Sequence, residues 1–143
     1  ENIMEYDLHS NIQVVHAIPA AAHTGTQTGA SIDSKGFESL EYVCHVGVAM
    51  VGGGFNITIE QSPDDGAGAP TGAWTAVPAA ETLGTLPVIT IADVNKVYRV
   101  GSVGKERFQR LVATESGTIS AGVFGVTAIQ GNPETVPVAA QNT

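Results

Sequence analysis

The chain has 143 residues, 43% of them hydrophobic and only 14% charged, with a formal net charge of −8. That is enough for one domain with a real core. It is too acidic to wrap the outside of nucleic acid, and it lacks any apolar run long enough for a membrane-spanning helix. Gly is abundant at 17, against one Trp, three Tyr and four Phe, which favours short strands and turns over long helices.

Residues 1–30 have no clean period. Tyr6 and Leu8, then Ile12 and Val14, are spaced by two, which suggests extended chain with a short strand over Ile12–Ala17. The small, polar stretch AIPAAAHTGTQTGA follows, so 1–30 is expected to form an extended N-terminal arm. The order of its residues is not that of a secretory signal, and neither a membrane nor nucleic acid is expected as a partner.

A β-domain is predicted over 31–130. Asp33, Ser34 and Gly36 form a turn, and Leu40, Tyr42, Cys44, Val46, Val48 and Met50 then alternate. Gly52, Gly53 and Gly54 are expected to reverse the chain into Phe55, Ile57 and Ile59, giving an antiparallel hairpin. Residues 62–73 are a Pro- and Gly-rich loop, followed by Trp74, Thr75 and Val77. Further strands are expected at Val88–Ile91, Lys96–Val100, Arg107–Thr114 and Thr118–Ile129, with Glu115, Ser116 and Gly117 as a hairpin turn between the last two. Residues 131–143, with two prolines, read as an extended C-terminal tail. Strands at this spacing predict an all-β fold, an antiparallel β-sandwich or jelly-roll-like barrel.

No catalytic or metal constellation emerges. His9, His16, His23 and His45 have no zinc-like spacing, and the lone Cys44 supports neither an internal disulfide nor a zinc site and reads as a small buried hydrophobe. Glu60, Asp64 and Asp65 lack the spacing of a calcium loop, and adjacent aspartates before Gly66 are natural turn formers. Ser102 in VGSVG lacks the second half of a nucleophile motif, and the glycines at 52–54 lead into a strand rather than a helix N-terminus. No cofactor and no enzymatic activity are expected.

Lys96, Arg99, Lys105, Arg107 and Arg110 form a local basic cluster with Tyr98 and Phe108. Alternation in 107–114 places Phe108, Arg110 and Val112 on one face and Arg107, Gln109 and Leu111 on the other. Arginines on both faces fit a sheet packed between protein surfaces better than a one-sided nucleic-acid platform. Trp74 alone is expected to anchor a loop or the core rather than to form a sugar platform.

The order of several short motifs is distinctive: ID-x-x-GFES at 32–39, I-E-Q-S-P-D-D-G at 59–66, Trp74, Y-R-V-G-x-x-G-K-E-R-F-Q-R at 98–110, and P-x-x-x-P-V at 133–138. Over residues 24–140 this resembles the small head proteins of tailed bacteriophages that serve as capsid decoration, cement or stabilisation proteins. Ser102 stands where an aromatic is common in that family, and residues 1–23 match none of its motifs. The resemblance implies a non-enzymatic virion protein on the capsid exterior, made in the bacterial host cytoplasm. It would bind the major capsid protein and assemble with itself, a trimer being favoured, to clamp junctions between shell subunits. Candidate interface residues are Tyr6, Leu8, Ile12, Val14, Arg99, Arg107 and Arg110, and residues 1–23 are expected to reach onto a capsid strand or loop. Alternative readings are a tail or head–tail connector component, a carbohydrate-binding module, and, least favoured, a small hydrolase.

Overall fold

The computed structural model describes residues 7–139 and is all-β and antiparallel. Nine strands share one hydrogen-bonded sheet. They are β1 (Gln13–His23), β2 (Gln27–Thr28), β3 (Ile32–Asp33), β4 (Phe37–Ser62), β5 (Thr75–Ala76), β6 (Thr82–Leu83), β7 (Val88–Ile89), β8 (Val97–Ser102) and β9 (Phe108–Pro133). Single 3₁₀ turns occur at His9–Asn11, Ala79–Glu81 and Ile91–Asp93.

Two strands of 26 residues, β4 and β9, form the frame. They pair from Phe37↔Pro133 to Val46↔Phe124, lose register around 47–52, and resume it from Gly53↔Gly117 to Ser62↔Phe108. The hairpins expected at 52–54 and at 115–117 are therefore absent: both segments lie within continuous strands, and Glu115, Ser116 and Gly117 pair in register with Phe55, Gly54 and Gly53. The alternation changes phase where register is lost. β4 buries Leu40, Tyr42, Cys44 and Val46 before the interruption, and Phe55, Ile57 and Ile59 after it. β9 buries Leu111 and Ala113 before, and Phe124, Val126 and Ala128 after. A bulge adds a residue, bends the strand and moves the inward face to the other parity. Val48, at the bend, points out and is 78% exposed, although it continues the even-numbered alternation.

The glycines serve close approach rather than reversal. Gly52 has φ +93°, and a Cβ there would lie 2.1 Å from the Thr118 carbonyl oxygen. At Gly122 a Cβ would lie 2.6 Å from Cε2 of Phe55. The bent ribbon thus folds over itself, and its two halves bury their inner faces against each other. Phe55 from one half meets Phe124 from the other at 4.7 Å between ring centroids, and His23 of β1 meets Phe124 at 4.8 Å. The first half of β4 lies between β9 and β8, and β1 lies on the far side of β9. The second half of β4 pairs with β5 and β7, and the matching half of β9 with β2 and β3.

The N-terminal arm is shorter than expected. Gln13–His23 is an eleven-residue strand paired with β9, and it buries Ala17, Ile18 and His23. Gly29 N donates to Leu111 O and Ala30 N to Ala17 O, so the small residues of 24–30 link the two layers. Little side-chain volume is needed where backbone groups supply the attachment. At the other terminus β9 runs through Pro133, and Val138 N donates to Ser10 O at 2.9 Å, so the tail begins inside the sheet and is tied back to the first 3₁₀ turn.

Candidate functional site

The two outer faces of the folded ribbon differ in character. Residues directly paired across antiparallel strands point to the same side. On the first half, register therefore builds one row from Val14, Ile129, Glu41, Gly101 and Leu83, and a second from His16, Thr127, Val43 and Arg99. A third contains Gly125, His45 and Val97. Glu41 and Arg99 are the only Asp, Glu, Lys or Arg among these residues. Val14 is 45% exposed, Val97 57% and Leu83 50%. A shallow hollow of about 350 Å³ lies between His16 and His45, floored by Gly47 and Gly125. At the other end of the face, Glu41, Leu83, Val103 and Ile129 line a second hollow of about 300 Å³. The result is a smooth surface of small and branched side chains with little to desolvate.

The outer face of the second half is polar. Asn56, Thr58 and Glu60 stand opposite Thr114, Val112 and Arg110. Arg110 Nε donates to Glu60 Oε1 at 2.8 Å, and its guanidinium lies 4.2 Å from the Trp74 ring centroid. Trp74 is half-buried as the cap of this stack.

Arg107 lies ahead of β9, not on its inner face. It donates to both carboxylate oxygens of Asp33, at 2.8 and 2.9 Å, and lies 3.4 Å from Asp64. The Arg107 hydrogen bonds hold the Asp33 carboxyl below the usual carboxylate range. With Gln109 and Leu111 inward and Arg110 outward, arginines do not occupy both faces of β9. Lys96 pairs with Asp93 and Lys105 with Glu81. Among the described residues, Arg99 and Lys35 have no carboxylate within ion-pair distance.

The expected interface residues thus fall into separate places. Val14 and Arg99 share the smooth face. Leu8 and Ile12 line a groove of about 610 Å³ with Glu38 and Val136, where the two ends of the described chain meet. Arg107 and Arg110 are held in ion pairs within the chain. Tyr6 lies outside the described residues. Val43, His45, Val97 and Ile129 are not among the expected interface residues, His45 being weighed only among the histidines without zinc-like spacing. The first two are the off-phase positions of the alternation in 40–46, so the same pattern that marks the core also marks its outer face.

The acidic loop is closed on itself. Asp64 accepts from Gly66 N and Gly68 N, and Asp65 from Ala67 N and Ala69 N. These N–H donors lower the Asp65 pKa. They also occupy oxygens a cation would need. Among the described residues, no group of three or more His, Cys, Asp or Glu is placed to share a metal ion.

No protein-family model matches the chain, and no curated protein matches it. Among solved structures, the crystal structure of PirA aligns with a TM-score of 0.41 and 16% identity, over 92% of this chain and 100% of that one. A structure of infectious bursal disease virus, Gt strain, aligns with a TM-score of 0.26 and 18% identity, over 92% of this chain and 46% of that one. Both are too distant to bear on function.

Proposed function

We propose that this chain is a non-enzymatic structural protein of a phage head, binding the outer surface of the capsid and clamping junctions between major capsid subunits. The observation that carries the reading is the smooth face around Val43 and Ile129. It is broad, weakly charged and built on paired strands, so covering it costs little desolvation and little side-chain ordering. The order of motifs from ID-x-x-GFES to P-x-x-x-P-V supplies the phage setting. Packing of the genome loads subunit junctions outward, and a clamp repeated over the shell adds buried area at each one. Self-association, with a trimer favoured, belongs to the same proposal.

Within this reading, β1 limits how much of the arm is free to reach across a shell. Residues 13–23 are committed to β9, so an arm that adds to a capsid strand is confined to residues ahead of Gln13.

The test is reconstitution on heads lacking this protein, read by sedimentation and by copy number per particle. Val43→Asp combined with Ile129→Asp is expected to cut retention by about ten-fold or more, one or two buried contacts at an interface core being worth that much. Thr58→Asp with Thr114→Asp, on the polar face, should leave it unchanged. Full retention of the Val43/Ile129 variant would overturn the assignment of the face. Six or twelve copies per particle would move the protein to the connector.

A further inference from the structure

The sheet that carries the smooth face ends at β8, and only part of that edge is covered. Lys96 O accepts from Val46 N at 2.9 Å, which points the Lys96 carbonyl toward β4, while its N–H donates to Asp93 O at 3.1 Å. Successive residues of an antiparallel strand alternate between the two sides. Tyr98 and Val100 therefore direct their N–H and C=O toward β4, and Val97, Arg99 and Gly101 direct theirs outward. Gly101 is matched by Leu83 of β6, and Val103 N donates to Glu81 O at 2.8 Å. Gly84, with φ +85°, then turns the chain; a Cβ there would lie 3.6 Å from Arg99 O, so Gly84 borders that carbonyl without a hydrogen bond to it. Among the described residues, no backbone group pairs with the outward N–H and C=O of Val97 and Arg99.

The opposite edge is guarded where this one is open. β1 carries Pro19 and two register shifts, and Ala30 N covers Ala17 O. Proline, bulges and covering loops are the usual protection against strand addition. Beside the open stretch of β8 stand Val97, 57% exposed, and Arg99, which has no ion pair among the described residues.

We propose that the β8 edge at Val97–Val100 accepts an extended acidic segment of a shell subunit as an added strand. The incoming backbone would bond Val97 and Arg99, an Asp or Glu would stand beside Arg99, and a branched apolar side chain would cover Val97. A second copy of this chain fits less well. Pairing β8 with itself about a two-fold axis puts both Arg99 side chains on one face at neighbouring positions with no carboxylate between them. The choice of a shell subunit as donor rests on the function proposed above; the preference of the edge for an acidic strand does not.

The experiment follows backbone amides of the full chain by NMR while adding a capped peptide that carries Val and Glu two residues apart, and so on one face of a strand, or the same peptide with Lys in place of Glu. Shifts and slowed hydrogen exchange are expected at Val97 and Arg99 with the Glu peptide. The Lys peptide should bind about two- to five-fold more weakly, the scale of one exposed ion pair. Arg99→Glu should reverse the preference. Val97→Pro removes an outward N–H and should abolish the response while leaving the amides of Tyr98 and Val100 in place. No response at Val97 and Arg99, or equal responses to both peptides, would overturn the proposal. In parallel, the protein is added to purified heads. Acidic preference without loading on heads would keep the edge and remove the shell subunit as its donor.

Discussion

Phe55 and Phe124 lie 4.7 Å apart between ring centroids, yet they belong to opposite halves of the β4–β9 ribbon. Phe55 pairs with Glu115 and Phe124 with Val46, so no strand register brings them together. Their contact marks the fold of the ribbon onto itself. Phe124→Ala should destabilise the chain by about 3–5 kcal/mol, since both the Phe55 and His23 rings lose their partner. Urea unfolding followed by Trp74 fluorescence measures it, and a loss under about 1 kcal/mol would mean that the rings do not close the two layers.

Gly122 makes that contact possible. A Cβ at this position would lie 2.6 Å from Phe55 and 3.1 Å from the sulfur of Met50, both fully buried. Gly122→Ala is therefore expected to cost about 1–3 kcal/mol, the range of an overpacked core, despite the better strand-forming residue. Gly36→Ala is a poor control because its φ is +90°. Gly25→Ala serves better, since the nearest atom to its Cβ would be a carboxylate oxygen of Glu115 at 3.9 Å.

The same bend explains what the sequence did and did not disclose. Alternation over 40–46 and 55–59 marks the buried residues correctly, and the all-β class follows from it. Connectivity was hidden because a bulge that shifts the inward parity and a turn that reverses the chain leave the same trace: two alternating runs joined by glycine. Only the partner strand distinguishes them, and that partner is more than fifty residues away. The site was legible in part. Val14 and Arg99 fall on the smooth face, whereas Arg107 and Arg110 are taken up by Asp33, Asp64 and Glu60, whose proximity depends on the pairing of β3 and β4 with β9.

Cys44 is 3% exposed within that core, and burial pushes its thiol up to about 12. The nucleophile is the thiolate, which is scarce at pH 8 with such a pKa. Ellman's reagent should therefore label the folded chain only as fast as it opens. Labelling rates should rise in parallel with urea-induced unfolding and with the Phe124→Ala substitution. Rapid labelling of the native protein would place Cys44 at the surface.

Asp33 and Arg107 tie β3 to the loop ahead of β9. The folded Asp33 carboxyl titrates below its unfolded value because Arg107 donates to both oxygens. A depressed carboxylate contributes stability above its unfolded pKa, near 4, and that contribution is lost as pH falls through the folded value. Acid unfolding should thus begin at higher pH in Arg107→Gln, and the Asp33 titration followed by NMR should move up toward the ordinary range. An unchanged midpoint would show that the pair does not persist in solution.

Trp74 and Arg110 distinguish a structural stack from a ligand platform. A sugar ring needs an open indole face, and the guanidinium lies 4.2 Å from the ring centroid, held through its Nε and Nη2 by Glu60 Oε1 at 2.8 and 2.7 Å. Glu60, Arg110 and Trp74 together act as one clamp holding the 62–73 loop and β5 against β9. Arg110→Ala should therefore red-shift Trp74 emission and raise its quenching by acrylamide. Glu60→Gln should do the same more weakly, because Arg110 keeps the ring but loses its anchor. The loss of stability should stay near the 0.5–1 kcal/mol of an exposed cation–π contact. If instead common glycans quench Trp74 in the unmodified chain, the stack opens readily and the indole is a binding surface.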